Sequence, residues 1–104
     1  MISAHFKKLI NQNNFLESPA FFASKLNVST SHLNDCVNSV TGKSVTYWLQ
    51  NSMINEAQRL LYYTENDVKE IAFALGFDDH SYFSRLFKKI TNETPLTFRR
   101  KFRE

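Results

Sequence analysis

Displaced by 50 residues, the sequence falls on itself: Leu33, Val37, Val40 and Trp48 meet Phe83, Phe87, Ile90 and Phe98, while Thr41, Gly42 and Ser44 meet Thr91, Asn92 and Thr94. A chain of 104 residues that writes one pattern twice has room for two small units of similar fold and little else. Each copy holds a short helical stretch with alanine near its middle (Ala23, Ala72), a tight turn (Asn27, Gly76), a polar cap (Ser29, Asp79) and a longer helical stretch. The second turn carries one extra residue. Two helices crossing steeply need a small side chain where their backbones approach, and the turn between them needs a residue tolerant of positive φ, which Gly and Asn supply. The second helix then needs a cap and an inward apolar stripe, here Leu33/Val37 and Phe83/Phe87. That arrangement is a helix-turn-helix, present twice.

The remaining punctuation agrees. The chain has two glycines and two prolines, and each falls at a helix boundary. Ser18-Pro19 and Thr94-Pro95 pair an N-cap with a proline at the first helical position. Gly42 reads as a helix stop, Ser44 as the next cap, and Asp67 with Glu70 as a capping box in its Asp variant. Alternating stretches do not exceed about four residues, so strands are not expected. The expected fold is all-α, with about seven helices over 2–13, 19–26, 30–41, 45–62, 68–75, 80–91 and 95–103. Along the longest, Val45, Trp48, Leu49, Met53, Ala57, Leu60 and Leu61 recur every three or four positions and mark one buried face. At 1.5 Å per residue it runs roughly 25 Å, enough to separate two small clusters. The expected organisation is a first helix-turn-helix lobe at 1–44, a linker helix at 45–62 and a second lobe at 63–104, together one functional domain.

Charge is uneven along this chain. Residues 1–79 carry six Lys/Arg against eight acids, whereas 80–103 carry seven against Glu93 alone. Such a bias points to a polyanion partner at the carboxy-terminal end, the alternative being a solvated basic face without a ligand. On 80–91, Phe83 and Phe87 would face a core while His80, Ser81, Ser84, Arg85 and Lys88 project from the other side. Hydrogen-bonding and cationic side chains on one helix face have the chemistry for base edges in a major groove. Arg85 can grip guanine bidentately or hold a phosphate; Lys88 and Lys89 suit phosphates. An ordinary solvated helix face would look the same in isolation, and the repeat favours the first reading.

The stretch "IAFALGFDDHSYFSRLFKKITNETPLTFRR" resembles, almost throughout, the carboxy-terminal signature of the AraC/XylS family of bacterial transcription regulators. "LNVSTSHLNDCVNSVTGKSVTYWL" is similar to the family's first unit through Val28-Ser29, His32-Leu33, Thr41-Gly42 and Ser44 to Leu49. The resemblance implies two helix-turn-helix lobes joined by a long helix, with both recognition helices, about 30–41 and 80–91, entering successive major-groove segments of double-stranded DNA. By matching position, Ser31, Asn34 and Asp35 would face DNA in the first lobe, and His80, Ser81, Ser84, Arg85, Lys88 and Lys89 in the second. The first unit departs from the pattern at Asp35 and Val37, where an arginine and a phenylalanine are common, and it has no cation in 26–42. An acid facing phosphates is unfavourable, although it can accept from a cytosine amino group. The resemblance also implies a bacterial cytoplasmic location, RNA polymerase as a further candidate partner, and a sensing or dimerisation domain outside this chain.

Other classes fit less well. His5, His32 and His80 are too far apart for a local metal motif, and there is no glycine-rich phosphate loop. Neither an enzyme nor a metal or cofactor is expected. Cys36 falls at a spacing that suggests a small buried apolar residue rather than a reactive thiol. No stretch approaches the ~18 apolar residues of a bilayer span, and "MISAHFKKLI" lacks the order of a signal peptide. A helical protein-interaction module, docking through Phe21, Phe22, Tyr62 and Tyr63, is the main alternative. It would not account for two copies of one turn chemistry.

Overall fold

A computed structural model of the chain describes residues 2–10 and 17–103. Among them are seven helices and no strand: α1 (Ile2–Ile10), α2 (Pro19–Lys25), α3 (Thr30–Thr41), α4 (Val45–Tyr63), α5 (Val68–Ala74), α6 (His80–Thr91) and α7 (Pro95–Arg103). The expected continuation of α1 over 11–13 lies outside the described residues. The chain divides into two compact units, Met1–Ser52 and Met53–Glu104, with the boundary inside α4.

In the first unit α1 and α2 both pack on α3. Phe6, Ile10, Phe22, Ala23, Leu33, Val37, Val45 and Leu49 form its core, with the rings of Phe6 and Phe22 edge to face at 5.3 Å. Burying such a side chain stabilises by about 1.5–3 kcal/mol. In the second unit α5 and α7 pack on α6. Ile54, Ala57, Leu61, Ile71, Ala72, Leu75, Phe83, Leu86 and Phe87 are its buried apolar residues. Ile54 is buried where the sequence spacing had suggested Met53, which is half-buried.

The turns repeat bond for bond. After α2, Asn27 adopts φ 58° and the N–H of Val28 donates to the carbonyl of Ala23 at 3.0 Å, with Asn27 N–H on Ser24 at 3.1 Å. After α5, Gly76 adopts φ 92°, Phe77 N–H donates to Ala72 at 2.9 Å and Gly76 N–H to Phe73 at 3.0 Å. Both are Schellman closures, which need a left-handed residue at the hinge and satisfy carbonyls that the helix leaves over. Ser29 then accepts from His32 N–H at 3.0 Å, and Asp79 from Ser81 N–H at 2.9 Å, to open α3 and α6.

The far ends of α3 and α6 match as well. Thr41 Oγ1 donates to the Val37 carbonyl at 2.7 Å and accepts from Lys43 N–H at 3.2 Å; Thr91 does the same with Phe87 and Glu93 at 2.8 and 3.3 Å. Gly42 and Asn92 take the left-handed positions that follow, at φ 77° and 67°. Ser44 and Thr94 cap α4 and α7 by accepting from Tyr47 and Thr97 N–H, each at 3.1 Å.

Candidate nucleic-acid interface

Position on α6 follows from its amphipathic spacing. Phe83, Leu86 and Phe87 are buried, and Phe83 stacks between Phe77 at 5.3 Å and Phe87 at 6.0 Å. That fixes the helix's roll and leaves His80, Ser81, Arg85, Lys88 and Lys89 exposed, with Ser84 half-buried beside them. The six second-lobe residues expected to meet DNA therefore lie along the solvent side of one helix.

The cations of the carboxy-terminal quarter have different roles. Arg99 is half-buried, and its guanidinium donates to the carbonyl oxygens of Leu61 at 3.0 Å and Thr64 at 3.2 Å, so it closes the end of α4. Lys101 stands 4.0 Å from Glu93. Arg85, Lys88, Lys89 and Arg100 are exposed and join no ion pair among the described residues. Three of these four are on α6. In α4, Arg59 grips Glu56 through two hydrogen bonds of 2.7 and 2.6 Å. The bond from Arg59, and then its charge, hold the Glu56 carboxyl below its ordinary range, and the same contact raises Arg59. Neither charge of that pair is free for a polyanion.

The first lobe differs. Ser31 and Asp35 are exposed on α3, but Asn34 is half-buried and its Oδ1 accepts from Val45 N–H at 3.1 Å. That bond commits the Asn34 carboxamide oxygen to the start of α4. The repeat shows why the second lobe needs no such bond: Ser84 stands at the matching position and Pro95, which has no N–H, stands where Val45 donates. Cys36 is half-buried rather than buried, with Sγ 3.6 Å from His32 Nε2. It lies to one side of the Leu33/Val37 stripe, lining with Ile2, His32 and Val40 an apolar groove of about 510 Å³ between α1 and α3. No group of three or more His, Cys, Asp or Glu among the described residues is placed to hold a metal ion.

One side chain on α6 escapes a reading by residue type. Tyr82, an aromatic that the spacing leaves unassigned, is 49% exposed, and the Arg85 Cζ lies over its ring at 6.0 Å from the centroid. The i, i+3 spacing of the two was the available signal.

A family model described as a helix-turn-helix domain matches residues 22–101. The arabinose operon regulatory protein of Salmonella typhimurium is 38% identical over 72 residues, covering 69% of this chain and 26% of that protein. The chain thus spans about a quarter of the length of such curated relatives. The C-terminal domain of AraT, a response regulator from Geobacillus stearothermophilus, superposes with a TM-score of 0.86 at 31% identity, over 96% of this chain and 84% of that one. The DNA-binding domain of AdpA, solved with a target DNA, shares the fold at a TM-score of 0.84 and 22% identity, over 97% of this chain and 92% of that one. No helix of the described residues is long and apolar enough to cross a membrane.

Proposed function

This chain belongs to the AraC/XylS family of helix-turn-helix DNA-binding domains, and from that membership we propose that it binds double-stranded DNA sequence-specifically, with α6 as its principal reading helix. The observation that carries this reading is the solvent face of α6, where Arg85, Lys88 and Lys89 stand without carboxylate partners among the described residues, beside His80, Ser81 and Ser84. Arg85, one turn into the helix, meets base edges; bidentate donation to guanine O6 and N7 is the chemistry its fork supports. Lys88 and Lys89, near the helix end, hold phosphates. Those contacts set register, whereas Arg85 sets sequence.

The first lobe contributes less charge. Ser31 and Asp35 are its exposed candidate base contacts, and Asn34, whose Oδ1 is held by the start of α4, has its Nδ2 donors left for DNA. An acid on that face favours a cytosine amino group over phosphate. The chemistry is binding, not catalysis, and it takes place in a bacterial cytoplasm. Within a protein of the relatives' length, a sensing or dimerisation segment would supply the signal and RNA polymerase would receive the output.

Selection of duplexes from a random pool tests the proposal directly. A recovered consensus, bound more tightly than random DNA and weakening steeply with salt, supports it. Recovery without any consensus would limit the chain to phosphate contacts, and salt-independent binding would favour an apolar protein dock.

A further inference from the structure

We propose that Tyr82 is a positioning residue for Arg85, its ring holding the guanidinium where it reads DNA; the inference rests on the assignment of α6 as the reading helix. An aromatic ring 49% exposed, on a face otherwise made of His, Ser, Arg and Lys, is not there to fill a core. It is nonetheless anchored. The buried Phe83 ring lies 5.3 Å from Phe77, and Phe77 lies 5.9 Å from Tyr82 at an interplanar angle of 40°. Arg85 Cζ then sits over Tyr82 at 6.0 Å. A line of contacts therefore runs from the core of the second unit, through the turn residue Phe77, to the guanidinium.

The kind of contact matters. A carboxylate partner would orient Arg85 but occupy the donors needed for guanine. A ring attracts the cation through its quadrupole and accepts none of the in-plane N–H groups, so orientation is gained while the donors stay available. Among the described residues Arg85 joins no ion pair, which leaves the ring as its orienting contact. The repeat supplies an internal contrast. At the matching positions the first lobe has His32 and Asp35, with no cation to orient, and His32 contacts Cys36 instead.

The test uses the full chain with a duplex recovered by selection and a random duplex of equal length. Tyr82→Phe should keep the ratio of the two affinities, because the ring remains. Tyr82→Ala and Tyr82→Leu should lower that ratio by about two- to five-fold, the scale of an exposed cation–π contact. In an Arg85→Ala background the same replacements should leave the ratio unchanged. Helical content measured by circular dichroism separates folding from binding, and Tyr82→Leu stands in if the alanine variant loses helix. Equal weakening on both duplexes, a loss that persists without Arg85, or failure of Tyr82→Phe to preserve the ratio would each overturn the proposal. A wild-type chain with no preference for the selected duplex would overturn the base-reading assignment itself, and that result is visible before any variant is compared.

Discussion

Arg99 Nε donates to the carbonyl oxygen of Leu61 at 3.0 Å, across 38 residues of sequence. A cation that counts, by composition, towards a nucleic-acid-binding tail is instead a helix cap. Arg99→Ala leaves the last carbonyls of α4 without that partner in a half-buried setting, so it should destabilise the chain by about 1–3 kcal/mol. Thermal unfolding reads this. An unchanged melting temperature combined with weaker DNA binding would return Arg99 to the interface.

Asn34 is open to an exchange test between the repeats. Asn34→Ser should cost about 0.5–2 kcal/mol by orphaning Val45 N–H. Adding Val45→Pro removes the orphaned donor and recreates the Ser84/Pro95 pairing of the second lobe. The double variant should therefore be more stable in chemical denaturation than Asn34→Ser alone. Additive losses would mean that the bond to Val45 does not govern the site.

The left-handed positions make opposite predictions for different substitutions. Gly76→Val puts a β-branched residue at φ 92°, which should lower stability by at least ~1–2 kcal/mol and reduce DNA binding through loss of fold. Asn92→Gly, at φ 67°, should raise stability by up to about 1 kcal/mol without changing affinity. Melting curves for the two decide it; a neutral Gly76→Val would show that the turn tolerates side chains.

Those turns were legible from the sequence because each is local. Ser18-Pro19, Gly42, the Asp67/Glu70 box and Gly76 act within three to five residues of themselves, and the helix ends fall within one or two residues of their signals. The exposed row on α6 was legible for the same reason, since Phe83 and Phe87 fix the roll. Asn34 and Arg99 were not, because their partners lie 11 and 35 to 38 residues away. Cys36 was misread because helical spacing gives a direction but not the distance to the neighbouring helix. Tyr82 escapes such a reading because it sits at the margin between the buried stripe of α6 and its cationic row.

Glu56 gives a pH dependence with a definite sign. Its carboxyl is held below the ordinary range in the folded chain, so the contribution of the Arg59 contact is complete above that range and is lost as pH falls through it. Glu56→Gln should be slightly less stable than wild type at neutral pH, and the gap should close in acid. The effect is small because the pair is largely solvated. A gap that widened in acid would reverse the assignment.

The central claim, that α6 reads sequence through Arg85 and phosphates through the lysines, is tested most directly by affinities of Arg85→Ala and Lys89→Ala on a selected and a random duplex across a salt series. Arg85→Ala should lose about 1–3 kcal/mol on the selected duplex and much less on random DNA. Lys89→Ala should weaken both about equally and lower the salt slope by roughly one. Indistinguishable profiles for the two variants would contradict base readout by Arg85 and leave it a phosphate clamp.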